Sequence, residues 1–363
     1  MTARILILLL MALPVLAACA DPAPAGIGAA WPAADALFAR DARFLGADGA
    51  YTVDLGGDRV LWLFGDTLVA RDHAHPHENS AFLRNSVALQ TGRDPVTAFM
   101  RHYWQHGPGD DDLGSFFPEP AAGVWLWPAH GARVGDVVVL FFERLVNEGD
   151  PGPWSFVATG WDARVVENPD DEPSAWRVRP ATLPDDGGAG AVLGEAVALD
   201  GAGHLVAFGT RGDAHAVVLA RFAVADAARG DLSHPELRCG ARWAEGCAPS
   251  ELFSPGAPEF SVSFDAGLGL WVWVASGGFG AAPLVWRTAP ALEGPWSDPV
   301  VVFRPPEATR DGAFVYAGKA HPELDPGPGG GLVVTWVPSG LDDLPASLDG
   351  VYYRPRFGRV WAR

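Results

Sequence analysis

Five apolar runs with aromatic or β-branched centres recur along the chain: Leu61–Val69, Val137–Leu145, His204–Gly212, Leu270–Gly278 and Leu332–Gly340. Their starts lie 76, 67, 66 and 62 residues apart. Each follows an alternating segment that ends in a Gly- or Asp-containing turn: AYTVDLGG, VWLWPAHG, GEAVALDG, EFSVSFDAG and GKAHPELDPG. Each precedes a third strand-like run: NSVALQ, WSFVATGW, AVVLARFAV, PLVWRTAP and VYYRPRFGRVW. A module of three or four strands, repeated five times without helical periodicity between, predicts an all-β fold, a five-bladed β-propeller with three or four antiparallel strands per blade. Tandem sandwiches would not repeat one module five times, and a β-helix needs a much shorter period. Helix is expected only over Ala33–Ala42. In such a fold the opening strand of each blade lines the central axis, so polar residues on opening strands are the ones to weigh.

Composition supports this reading. The 363 residues include 44 Gly, 32 Pro, 15 Trp and 19 Phe, which suits many short turns and aromatic strands. The net charge of −18 offers no electrostatic footprint for a polyanion, so nucleic acid and anionic lipid surfaces are excluded as partners.

The N-terminus reads differently from the body. Arg4 precedes an apolar run, Ile5–Leu13, too short to span a bilayer and shaped as an export signal. Leu16-Ala17-Ala18-Cys19 resembles a bacterial lipobox. That resemblance implies a signal peptide over 1–18, lipidation of Cys19 and a flexible tether over 19–43, and the repeats make 44–363 one propeller domain. The protein would then be exported and lipid-anchored to the cell envelope, at the outer membrane in a Gram-negative host, touching the membrane only through its lipid. In an oxidising compartment, Cys239 and Cys247 are expected to form a short-loop disulfide.

Several residues carry possible chemistry. Asp48 lies in a Gly-rich turn that opens the first blade, and Asp66 ends the apolar run Leu61–Phe64 at a Gly turn. Glu259 enters an apolar strand beside the axis, where burial raises a carboxyl pKa and suits a general acid. Lys319 is the sole lysine beside 25 arginines. His321 is either a channel-lining group or a satisfied core histidine, and the pattern leaves both open. The alternation of His73, His75 and His77 and the runs Asp110–Asp112 and Asp170–Glu172 read as exposed polar loops. No P-loop, dinucleotide fingerprint, G-x-S-x-G elbow or H-E-x-x-H occurs.

LWLFGDT with Arg84-Asn85-Ser86-Val87, WLWPAHG, GPWSDPVV, YAGKAHPEL and YYRPRFGRV, taken in order, resemble five-bladed propellers of the glycoside hydrolase family 43 type. The likeness covers about Phe44 to Trp361 and points to a bacterial group that includes endo-D-arabinanases. It implies a glycoside hydrolase that cleaves a furanoside-containing, arabinan-like polysaccharide with paired carboxylates. Asp48 and Asp66 match active-site aspartates, and Glu259 matches a later acidic residue that opens a blade. By the same resemblance Arg84, Asn85, Trp127, Lys319, His321 and Glu323 bind substrate. Pro128-Ala129-His130-Gly131 stands where the group often carries a Gly-Asp-Gly-like turn. Related propellers often hold a cation near the axis, a Ca²⁺ here, for which His321 and Glu323 supply too few oxygens, so no metal ligand is assigned. The alternative to an enzyme is a non-catalytic propeller lipoprotein that binds glycan or a protein partner.

Overall fold

The computed structural model of the chain describes residues 21–72, 79–106, 112–149, 155–185, 190–310, 312–340 and 353–363. The signal segment with Cys19, the alternating His73, His75 and His77, and Asp110 and Asp111 lie outside the described residues. Five antiparallel sheets are arranged as a five-bladed β-propeller.

The first blade runs outward from the axis through Phe44–Gly56, Arg59–Ala70, Ser86–Thr91 and Phe99–Tyr103, with Ser80–Leu83 as an extra pairing on its second strand. The second comprises Val124–Val134, Val137–Asn147, Phe156–Val166 and Val178–Pro180. The third comprises Val192–Leu199, His204–Arg211, Ala216–Ala223, Glu236–Cys239 and Arg242–Ala244, one strand more than expected. The Cys239–Cys247 disulfide pins that last hairpin. The fourth comprises Phe260–Asp265, Leu270–Ser276, Leu284–Ala289 and Val300–Phe303.

The fifth blade explains how the ring closes. Ala313–Ala320, Leu332–Gly340 and Arg356–Ala362 leave an open edge, and Gly26–Ala30 covers it, pairing Gly26 with Ala362 and Ala30 with Gly358. The stretch expected to be a tether is therefore largely part of the fold. Ala23 is already buried, and the Pro24 carbonyl accepts a 3.0 Å bond from the Trp286 indole. The helix spans Pro32–Ala39, with proline where its missing N–H costs nothing. Its Phe38 is fully buried, stacked on Phe357 at 5.0 Å and edge-on to Trp62 at 5.1 Å.

The second strands read as unbroken apolar runs because both of their faces are covered by neighbouring blades. Leu61, Trp62, Leu63 and Phe64 have no exposure at all. Alternate residues feed different inter-blade cores: Trp62 and Phe64 join the helix and the fifth blade, while Leu61 and Leu63 join Phe142 of the second. The innermost strands touch one another around the ring, and all run in the same sense along the axis. Residues that begin them share one end of the channel, and residues that finish them share the other.

Candidate functional site

Four of the five inner strands depart from regular pairing, the second of them between Pro128 and Gly131. The first blade shifts register around Gly46–Tyr51, with Gly49 at φ +73° and Ala50 at φ +56°. The third shifts between Leu193 and Ala196, with Gly194 at φ +108°, and the fifth between Tyr316 and Lys319, with Ala317 at φ +56°. Bulges of this kind re-aim side chains. Here they carry Asp48, Glu195, and Tyr316 with Lys319. Gly46 is required for another reason: a Cβ there would lie 2.1 Å from the Tyr353 carbonyl oxygen, so only glycine lets that segment approach.

The result is an acidic cup at the starting end of the channel. Asp48 Oδ2 accepts from the Tyr316 hydroxyl at 2.9 Å. The Tyr353 hydroxyl lies 3.3 Å from the same oxygen and 2.9 Å from the Asp66 carbonyl, so it ties the two aspartates together. Asp66 Oδ1 accepts from the Trp127 indole at 2.8 Å, and its Oδ2 pairs with Arg84 at 3.5 Å. From the second and third blades come Glu143 and Glu195, and Glu195 Oε2 accepts from the Tyr51 hydroxyl at 2.7 Å. Glu259, from the fourth blade, pairs with Lys319 Nζ at 2.5 Å.

These carboxyls do not share one protonation state. Burial, then the charges of Asp66 and Glu259, push Asp48 well above the usual carboxylate range. Burial lifts Asp66 to about 6, against the pull of Trp127 and Arg84. Burial and the charge of Glu259 push Glu143 up to about 7. Burial and then Glu143 push up Glu195. Glu259, expected as a buried proton donor, is instead half-buried and ion-paired with the Lys319 ammonium. Groups forced apart in this way divide into proton holders and charged carboxylates.

The mouth of the cup is aromatic. Trp127 packs edge-on to Phe156 at 4.7 Å, and the Arg84 guanidinium lies 4.2 Å over Trp125. Across the channel Phe314 stacks on Tyr316 at 4.7 Å.

The remaining expected substrate residues are placed elsewhere. Asn85 is 1% exposed, and its amide bonds the backbone of Phe117 twice and that of Leu126 once, so it clamps the link between two blades. His321 and Glu323 lie at the finishing end of the channel, beside a cavity of about 470 Å³ that Thr52, His130 and Lys319 also line. There His321 is a satisfied core histidine, with Nδ1 2.6 Å from the Thr52 hydroxyl and Nε2 2.7 Å from that of Thr335. His130 Nδ1 accepts from the Val197 N–H, which leaves Nε2 to donate to the Thr52 carbonyl. Burial holds both imidazoles below their ordinary pKa, His130 at about 4. The residues do not fit a Ca²⁺ site here, since both His321 nitrogens are engaged. Among the described residues no group of three His, Cys, Asp or Glu side chains is arranged to hold a metal ion.

Glu143, Glu195 and the three tyrosines are absent from the sequence-based site. A signal for the acids existed: each interrupts an apolar strand segment, VVVLFFERL or GEAVALDG, as Glu259 interrupts its own. The chain has only five tyrosines, and Tyr51, Tyr316 and Tyr353 all face this cup.

Fold and site together define a five-bladed propeller with an acidic, aromatic-rimmed cup on its axis. The chain belongs to the DUF5005 family, described as a domain of unknown function, whose model matches residues 33–361. Among solved structures it is similar to a Bacteroides ovatus protein that carries a provisional hydrolase name. That match has a TM-score of 0.71 at 19% identity and covers 93% of this chain and 90% of that one. It is also similar to the exo-β-1,3-galactanase of Phanerochaete chrysosporium, with a TM-score of 0.49, 13% identity, and 93% and 64% of the two chains covered. For the endo-arabinase of Bacteroides thetaiotaomicron the corresponding values are 0.46, 10%, and 88% and 95%. At these identities the likeness is one of fold. No curated protein matches the chain.

Proposed function

We propose that this protein is a glycoside hydrolase that cleaves a furanoside-containing, arabinan-like polysaccharide at the acidic cup. The observation that carries the reading is geometric: Asp48, held by two tyrosine hydroxyls, and Glu259, ion-paired with Lys319, come from different blades to one end of the channel. Glycoside hydrolysis needs one carboxylic acid to protonate the leaving oxygen and one carboxylate to attack the sugar or activate water. Asp48 is the proton donor: it is half-buried, and the nearby charges of Asp66 and Glu259 disfavour its own ionisation. Its Oδ2 is occupied by tyrosine hydroxyls, which turns Oδ1 toward Gly65 and the cup. Glu259, ion-paired with Lys319, is the partner carboxylate. Trp127 and its aromatic neighbours offer stacking faces for sugar rings. Asp66 holds Trp127 and Arg84 in place and biases Asp48 toward its protonated form.

The protein is further proposed to be exported and anchored by lipid on Cys19. Because Ala23 is already buried, only Ala20, Asp21 and Pro22 separate the lipidated residue from the fold. That stretch reaches about 14 Å at most, so the outer edge of the fifth blade would rest near the membrane.

Incubation of the full chain with arabinans, arabinogalactans and xylans, read by new reducing ends, tests the hydrolase reading. Cleavage of a furanoside-containing chain supports it. Saturable binding without cleavage of any of them favours the glycan-binding alternative.

A further inference from the structure

Lys319 is the sole lysine of the chain and is 1% exposed at the centre of the ring. Its ammonium lies 2.5 Å from Glu259 Oε2, 3.2 Å from the Ala317 carbonyl and 4.2 Å from the centre of the Tyr51 ring. Three N–H donors thus meet a carboxylate, a carbonyl and an aromatic face. A buried charge is tolerated only when paired and hydrogen-bonded in this way. The strand bends to allow it: Ala317 adopts φ +56°, a conformation costly for a residue with a Cβ, and the register shifts between Tyr316 and Lys319. The bend sends the side chain from the fifth blade across to the fourth.

The surroundings are sorted by charge. Toward the cup, Lys319 faces Glu259, Glu195, Asp48 and the Tyr51 ring. On the other side it faces His130 and His321, both engaged in hydrogen bonds through both ring nitrogens. The Lys319 charge favours ionised Asp48 and Glu195 and neutral His130 and His321. A divalent cation at this point would lie against the ammonium, and the neighbouring imidazoles have no lone pair to offer it.

We propose that Lys319 is the fixed axial cation of this propeller, a positioning residue that clamps the Glu259 carboxylate across the seam between the fourth and fifth blades. The residue expected to bind substrate therefore acts through Glu259. The proposal rests on the ion pair and not on the hydrolase reading, so it holds equally for a binding cup.

The single lysine makes the test direct. In the full chain labelled with ¹⁵N-lysine, one ammonium resonance, protected from exchange with water, is expected at neutral pH. It should shift or vanish in Glu259→Gln and stay unchanged when Ca²⁺ is added after EDTA treatment. Lys319→Met should lower the melting temperature by roughly 5 °C, because it leaves the half-buried Glu259 carboxylate unpaired. Adding Glu259→Gln to it should recover at least half of that loss. An ammonium that exchanges as fast as free lysine, a resonance indifferent to Glu259→Gln, a Ca²⁺-induced shift, or strictly additive melting effects would each overturn the proposal.

Discussion

Gly65 stands directly against Asp48: a Cβ at position 65 would lie 2.5 Å from Asp48 Oδ1. Gly65 has an ordinary backbone conformation, so alanine there strains only this contact. The crowded atom ends a side chain that can swing away. Gly65→Ala should therefore fold and melt as the wild type does while Asp48 is displaced from its position in the cup. Turnover should fall roughly 10- to 100-fold, as displacements of about 1 Å do at reacting groups. Kinetics beside a melting curve check this, and unchanged turnover would place the chemistry away from Asp48.

Asp66→Asn removes a charge that holds Asp48 protonated, while its side-chain oxygen can still accept from Trp127. With that charge gone, the pKa of Asp48 falls. If Asp48 supplies the proton, the alkaline limb of the pH–rate profile must move to lower pH, and turnover at neutral pH should drop at least about tenfold. A limb that does not move contradicts the assignment of Asp48.

Glu323 gives a pH dependence of stability at the other end of the channel. Burial pushes its carboxyl up to about 7. A folded-state pKa above the unfolded one contributes stability below the unfolded value, which is lost as pH rises through the folded value. For Glu323 that window runs from its ordinary value of about 4.5 up to about 7. Glu323→Gln should match the wild-type melting temperature near pH 4 and exceed it by a few degrees at pH 8. Equal melting at both ends of the range would show that Glu323 ionises without penalty.

The anchor has its own test. Cys19→Ser should move the protein from the membrane fraction to the soluble fraction without changing its melting temperature. Retention of the unlipidated variant in membranes would count against lipid attachment at Cys19.

The sequence made much of the fold legible because buried second strands such as Leu61–Phe64 read as continuous apolar runs at a repeating distance. It hid the closure of the ring, since Gly26–Ala30 is small and flanked by Pro24 and Pro32, and packs close to Val302 and Phe303 through glycines rather than an apolar pattern. At the site, Asp48 and Asp66 could be picked out because each acid follows a glycine turn or an apolar run on one hairpin. The partner of Glu259 lies 60 residues away on the next blade, and that pairing depends on a bulge no alternation pattern reports. His321 and Glu323 follow Lys319 by two and four positions and share with it the cavity at the finishing end, while the Lys319 ammonium reaches back to Glu259 in the cup. Proximity in sequence pointed to one shared site, whereas of the three only Lys319 reaches both the cavity and the cup.

Turnover of an arabinan-type polysaccharide by the wild type, Asp48→Asn and Glu259→Gln, each with a melting curve, tests the central claim most directly. The wild type should generate reducing ends. Both variants should remain folded and lose at least about 100-fold in turnover, as expected for loss of a proton donor or its charged partner. Folded variants that retain wild-type turnover would contradict a hydrolytic role for the acidic cup.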